Sequence, residues 1–197
     1  YPSIERRNLT PILDTLRQTK SPREIALIRK ASVLAGLGIL EAMKSTRPGV
    51  FEYQVAAAAR FTFLANGARF EGYNPIAGGG TNAWLGHYSR NLDRLQAGDM
   101  VLMDYAPDLR YYTSDVARMW PVSGTYTDAQ RTLANFILEY RAAFFRHIGP
   151  GVTPEDVLVL ARRDMEPVLA RTQFATPSHR KAAEEMLTFR GHLQHPV

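Results

Sequence analysis

The N-terminal third of the chain has the apolar spacing of helices. Ser21-Pro22-Arg23-Glu24 is typical of a helix start, because Ser and Glu can form a capping box and Pro fits the first turn. The apolar stripe that follows ends at Arg47-Pro48-Gly49, which predicts a helix over Pro22–Ser45. A second helix is predicted over Glu52–Asn66, where Gly67 suits the position after the helix end.

The middle of the chain has the texture of β-structure instead. Gly78-Gly79-Gly80 is predicted to break the chain, and β-rich runs follow it. These runs are Tyr88–Leu92, Met100–Tyr105 and Tyr111–Val122. Helices are predicted again over Asp128–Phe145 and from Pro154 to about Ala170. Residues 1–20 are predicted to be a connecting segment with a short helix.

A weak repeat links the two helical regions. Pro48-Gly49-Val50 with Glu52 recurs as Pro150-Gly151-Val152 with Glu155, each time between two predicted helices. A duplicated helix–helix–sheet unit would explain the repeat. Chance is the alternative, because Pro-Gly is an ordinary helix terminator.

The strongest chemical signal is a pair of aspartates beside a short polar turn. Asp104 and Asp115 flank the turn at Pro107–Arg110, so the segment predicts a hairpin. If the turn centres between Leu109 and Arg110, the two aspartates lie directly opposite each other, where like charges repel. A shared proton or a nearby arginine could relieve this repulsion. A divalent cation does so better, because hard metals prefer carboxylate oxygens.

Composition limits the other ligands that such a site could use. The chain has no cysteine, so disulfides and thiolate metal sites are excluded and the remaining ligand type is histidine. His147 and His179 lie in polar helical contexts and are expected at the surface. His87 follows a glycine-rich loop and is either substrate-facing or structural. His192 and His195 lie close together after a further helical segment.

Charge and hydropathy exclude two kinds of partner. The 197 residues carry a net charge of +5, but the positive residues are scattered through predicted helices. We therefore expect solvated helix faces and no nucleic-acid partner. No apolar run reaches the roughly 18 residues of a membrane span, so none is expected. The 45% hydrophobic content suffices for one large domain or two small ones.

Taken together, these blocks resemble the pita-bread metallopeptidases (peptidase M24), in their Xaa-Pro aminopeptidase and prolidase branch. The matching elements are Asp104 with Asp115 ten residues later, Thr113–Arg118, Trp120–Gly124, His87–Asn91, Leu95–Asp99 and Ser21–Arg29. The resemblance covers roughly Lys20 to Val197.

The resemblance implies an α+β fold of the pita-bread (creatinase/aminopeptidase-like) type, built from duplicated helix–helix–antiparallel-sheet units. Residues 1–20 would be a linker from an N-terminal domain that precedes the chain. Residues 21–197 would be the catalytic domain, incomplete at its C-terminus because it stops before its last strands.

The resemblance also implies a function and a site. The protein would be a hydrolase, a metalloprotease that removes the N-terminal residue from Xaa-Pro peptides or splits Xaa-Pro dipeptides, with two divalent ions (Mn, Co or Zn). Asp104 would bind one ion, Asp115 would bridge both, and His195 would be the metal-binding histidine. His87 and His192 would be catalytic, with His87 positioning the substrate or stabilising the tetrahedral intermediate. A proline-containing peptide substrate, homodimerisation and a cytoplasmic location are expected.

The chain departs from the family pattern in places. The family's two glutamate ligands follow the metal histidine, but this chain ends at Val197, and Glu184 and Glu185 precede that histidine, as surface residues. His192 lies three residues before His195, where the family has a spacing of four.

Three further expectations follow. Tyr105-Ala106 replaces a small, glycine-containing pair and would narrow the pocket. The chain as it stands is expected to be inactive and to bind metal weakly. The competing hypotheses are a metal-free relative acting on a small non-peptide substrate and a non-catalytic binding module.

Overall fold

The second helix begins at the capping box that the sequence predicts. A computed structural model describes residues 7–193, which divide after Val122 into an N-terminal and a C-terminal unit. Helix α1 (Thr10–Gln18) is the short helix expected in the first segment, and it buries none of its residues. Helix α2 (Pro22–Ser45) starts with the capping box, in which the Ser21 N–H donates to Glu24 Oε2 at 2.6 Å.

Helix α3 (Glu52–Ala65) packs closely against α2. The contact uses small residues: a side chain at Gly38 of α2 would collide with the ring of Phe63 on α3. Ala35 and Ala59 are fully buried in the same helix pair. Glycine and alanine therefore let the backbones approach, while Phe63 fills the core between them.

A three-stranded antiparallel sheet follows, with its strands in the order β2-β3-β5. The strands are β2 (Ile76–Gly79), β3 (Met100–Asp104) and β5 (Ala117–Pro121), and β1 (Phe70–Glu71) separately pairs with β4 (Pro107–Asp108). The chain does break within Gly78-Gly79-Gly80, since β2 ends at Gly79, but the first two glycines belong to the strand. Glycine is needed there because a side chain at Gly78 would lie 2.9 Å from the Asn82 backbone, in the 3₁₀ turn Gly80–Trp84 that follows.

The predicted β-run at Tyr88–Leu92 is irregular in the structure, so that prediction was wrong. Asn91 has a left-handed backbone with φ of 50°, which is incompatible with a strand. Its side chain instead accepts the Ala77 N–H at 2.9 Å and donates to the Pro75 carbonyl at 2.8 Å. A side chain, rather than another strand, thus covers the free edge of β2.

The hairpin between β3 and β5 turns one residue later than predicted. Its central residues are Arg110 and Tyr111, both left-handed with φ of 57° and 68°, as a type I′ turn requires. The register consequently pairs Asp104 with Ala117, so the prediction that Asp104 directly opposes Asp115 was wrong. The register differs by two residues, and an even difference preserves the face on which a strand residue lies.

The C-terminal unit consists, in its described part, of three helices. They are α4 (Asp128–His147), α5 (Pro154–Arg171) and α6 (Pro177–Thr188). Their core contains Phe136, Tyr140, Ala161, Met165 and Leu187. Between Ser123 and Leu193 the structure contains no strand, so the predicted duplication of the whole helix–helix–sheet unit stays a prediction.

The hairpin turn gives a direct test of the register. Arg110→Val should lower the free energy of unfolding by about 1–2 kcal/mol, because a β-branched residue disfavours the left-handed backbone. Arg110→Asn should be tolerated, since Asn adopts this conformation readily. Both variants remove the same side chain, so their difference in urea denaturation isolates the backbone effect. Equal stabilities would contradict the left-handed turn.

Candidate metal centre

Asp104 ends the central strand of the sheet. It is half-buried and pairs with Ile76 on one side and Ala117 on the other. Its Oδ1 accepts a 2.6 Å hydrogen bond from the hydroxyl of Tyr73. Two flanking strands and one hydrogen bond therefore fix this carboxylate. The Tyr73 hydroxyl bonds Oδ1, and the second oxygen, Oδ2, takes no part in that hydrogen bond.

Asp115 lies in the irregular segment between the hairpin turn and β5, and it is exposed. The negative charge of Asp115 acts on the Tyr73 hydroxyl, as does the negative charge of Asp104. Burial, the hydrogen bond to Asp104 and the negative charges of Asp104 and Asp115 raise the pKa of Tyr73 far above its usual range. Tyr73 therefore stays protonated and donates its hydroxyl to Asp104.

Tyr73 is a residue that sequence reasoning missed. It is placed by Gly72, whose N–H donates to the Ala106 carbonyl at 2.9 Å. A side chain at Gly72 would collide with Thr113, so this glycine lets the Tyr73 segment lie against the segment leading to Asp115. In the sequence this arrangement shows only as the dipeptide Gly72-Tyr73. The dipeptide gives no indication that Tyr73 bonds Asp104, 31 residues away.

His87 is an exposed residue that precedes a buried, hydrogen-bonded tyrosine. Its backbone is left-handed, with φ of 55°, and its side chain is exposed. The next residue, Tyr88, is buried and donates its hydroxyl to Glu52 Oε2 at 2.7 Å. Burial and this bond raise the pKa of Tyr88 to about 12, so Tyr88 remains a donor. The predicted role of His87 toward substrate stays a prediction.

His192 lies in the aromatic core of the C-terminal unit. Its Nε2 is 2.9 Å from the Met186 carbonyl, and its ring contacts Phe189 and Tyr140 edge-on with centroids 4.9 and 5.5 Å away. These contacts fix the ring orientation, and the predicted catalytic role of His192 stays a prediction. The predicted metal ligand His195 lies outside the described residues.

The glutamates of α6 lie at the surface, as expected. Glu184 pairs with Arg180 at 3.2 Å and Glu185 with Lys181 at 3.7 Å, each one turn away on the same helix.

The Asp104–Asp115 pair fits a divalent cation as part of a site. Carboxylate oxygens suit such ions, and the charge of an ion would offset the repulsion between the two groups. Within residues 7–193, no three side chains of the His, Asp and Glu types lie close enough together to hold a metal ion. Protein metal sites commonly use more ligands than two, so tight binding needs at least one ligand from elsewhere.

Residues 26–192 match the sequence model of metallopeptidase family M24, and the chain belongs to this family. The Xaa-Pro aminopeptidase of Escherichia coli K12 is 36% identical over 143 residues, which are 73% of this chain and 32% of that protein. The Xaa-Pro aminopeptidase of Haemophilus influenzae is 36% identical over 141 residues, or 72% of this chain and 33% of that protein. The chain thus spans about a third of the length of the curated relatives it matches.

Solved structures give the same classification. Proline aminopeptidase P II from Yersinia pestis superposes with a TM-score of 0.78 at 33% identity, over 90% of this chain and 41% of that one. A zinc-substituted E. coli aminopeptidase P in complex with product has the same TM-score, 0.78, at 31% identity over 91% of this chain and 41% of that one. The predicted family is therefore confirmed, and the mixed helix and sheet structure is that of aminopeptidase P. No helix within residues 7–193 is long and apolar enough to span a membrane.

The Tyr73 hydrogen bond leads to a prediction about metal affinity. Tyr73→Phe should weaken Mn²⁺ binding by about 10-fold or more, because groups that orient a metal ligand contribute this much to affinity. The affinity can be measured from the electron paramagnetic resonance signal of free Mn²⁺. Tyr111→Phe is the matched control, since the Tyr111 hydroxyl lies on the exposed hairpin turn and binds Arg69. An unchanged dissociation constant in Tyr73→Phe would contradict the orienting role.

Proposed function

We propose that this chain forms part of the active site of a metal-dependent exopeptidase that acts on Xaa-Pro peptides. The observation that carries the proposal is the Asp104 carboxylate, which is fixed at the end of the central strand by Tyr73 and belongs to the same hairpin as Asp115, within a member of family M24. Relatives at 36% identity are named Xaa-Pro aminopeptidases, which supports the substrate class.

The residues that would hold the metal ions are Asp104, Asp115 and His195. We propose that these residues would hold two divalent ions, Mn²⁺, Co²⁺ or Zn²⁺, with Asp104 and Asp115 supplying carboxylate oxygens. Bound ions of this kind lower the pKa of a coordinated water and polarise the scissile carbonyl. The zinc-substituted aminopeptidase P supports the use of divalent metals in this family.

The chain's own residues prepare the site for this chemistry. Tyr73 directs one oxygen of Asp104 into its hydrogen bond, and the second oxygen of Asp104 lies outside that bond. His87, exposed on its segment, would position the peptide or stabilise the negative charge that develops on the carbonyl oxygen. His192 would assist as an accessory histidine.

The reaction that follows is hydrolysis of the bond before proline. Water attacks the scissile carbonyl, and the products are the N-terminal residue and a peptide that begins with proline. With a dipeptide as substrate the same reaction releases free proline. Aminopeptidase P structures with substrate and with the inhibitor Pro-Leu support the binding of such peptides in the family.

The metal assignment can be tested by calorimetry on this chain. Mn²⁺ titration should show weak binding that Asp104→Asn and Asp115→Asn each abolish, because either change removes half of the ligand pair. Asp14→Asn is the control. It removes the same negative charge at an exposed position of helix α1. If both variants bind as well as Asp14→Asn does, the ions bind elsewhere and the assignment is wrong.

The peptidase activity is tested on the full-length protein. Release of the first residue from an Xaa-Pro peptide should fall to background in Asp115→Asn, and a matched peptide with alanine in place of proline should be cleaved poorly. Turnover unaffected by Asp115→Asn would exclude the metallopeptidase mechanism. Equal cleavage of the alanine peptide would exclude the proposed specificity.

A further inference from the structure

Glu52 is a fully buried carboxylate that the proposed chemistry does not use. It is the first residue of α3, and none of its surface is exposed. Burying a charge is costly unless hydrogen bonds compensate it, so the surroundings of Glu52 require an explanation.

Each oxygen of Glu52 accepts two hydrogen bonds. Oε1 accepts the Gly79 N–H at 2.8 Å and the Asn82 side-chain amide at 3.0 Å. Oε2 accepts the Tyr88 hydroxyl at 2.7 Å and the Asp93 N–H at 3.0 Å. An ionised carboxylate is an acceptor only, and four donors match it completely.

The four donors all belong to one stretch of chain, Gly79–Asp93, and lie at its beginning, middle and end. The start of α3 also holds this stretch through its own backbone. The Glu52 N–H donates to the Asp93 carbonyl at 3.0 Å, and the Tyr53 N–H donates to the Asn91 carbonyl at 2.9 Å. Amides that have no partner inside the helix thus bind the Gly79–Asp93 segment.

His87 lies inside this segment, next to one of its anchors. Tyr88 is only 8% exposed and directs its hydroxyl to Glu52, whereas His87 is exposed. The burial of the Tyr88 ring therefore fixes the backbone from which the His87 imidazole projects.

A glutamate near a helix start in the C-terminal unit offers a comparison. Glu155 is the second residue of α5 and lies three residues after Val152, whereas Glu52 is the first residue of α3 and lies two residues after Val50. Glu155 is exposed, so a glutamate close to a helix start is not buried in both units.

We propose that Glu52 is a positioning residue, which fixes the Gly79–Asp93 segment through four hydrogen bonds and thereby sets the direction of the His87 imidazole. The inference rests on the proposed function only for the role of His87. The attachment of the segment to Glu52 can be tested whether or not the protein is a peptidase.

Glu52→Gln is the informative substitution, because it keeps the shape of the side chain. One acceptor oxygen becomes an amide donor, so one pair of donors loses its acceptor. Amide hydrogen exchange within residues 79–93 should then accelerate by about 10-fold or more, as expected for unsatisfied buried donors. Glu155→Gln, which makes the same change at an exposed position, should leave this exchange as in wild type.

Tyr88→Phe is a second, milder variant. It removes the hydroxyl that donates to Glu52 and accepts from the Asn82 amide at 3.0 Å. It should shift and broaden the NMR signal of the His87 imidazole, while the Mn²⁺ affinity of the Asp104–Asp115 pair stays within about twofold of wild type, since sites without shared partners act independently. A general stability role for Glu52 would not produce this selective effect.

The outcomes separate the two proposals. If the wild-type protein binds no Mn²⁺, the proposed metal centre is refuted. Amide hydrogen exchange in Glu52→Gln would still test whether Glu52 holds residues 79–93. Exchange in residues 79–93 that matches Glu155→Gln, or that accelerates equally throughout the N-terminal unit, would overturn the positioning role of Glu52. So would a His87 signal unaffected by Tyr88→Phe.

Discussion

The hydrogen bond from the Tyr73 hydroxyl to Asp104 is the interaction on which the candidate site of the N-terminal unit depends. It fixes one oxygen of a carboxylate that stands at the end of the central strand of the sheet. Asp115 belongs to the hairpin that leads from this strand to β5, and its negative charge acts on the same hydroxyl. The close approach of Gly72 to Thr113 lets the Tyr73 segment lie against this hairpin.

The same unit contains a second kind of carboxylate, and the contrast shows which groups are open to a ligand. Glu52 is fully buried and its oxygens are matched by four donors. Asp104 is half-buried with a hydrogen bond from Tyr73, and Asp115 is exposed. Glu52 therefore serves the framework, whereas Asp104 keeps one oxygen outside its bond to Tyr73 and the Asp115 side chain is exposed to solvent.

The site is thus assembled from a rigid part and a projecting part. The sheet and the helix pair α2–α3 supply the rigid part, packed closely through Gly38 and Phe63. The Gly79–Asp93 segment projects from this rigid part and carries the exposed His87. Hydrogen bonds of the Tyr88 and Asn91 side chains hold the segment in place. Functional groups on loops commonly rely on such anchoring, because a loop by itself does not fix a side chain.

The sequence by itself determined the features that depend on neighbouring residues. The capping box at Ser21 placed the start of α2, and the aspartates with their flanking blocks identified the family. Only the tertiary structure decided the register and the partners. The turn at Arg110 and Tyr111 requires left-handed residues that composition does not reveal, and this moved the pairing of Asp104 by two residues. Tyr73 and Glu52 were missed because their partners lie about 30 residues or more along the chain, where only folding brings donor and acceptor together.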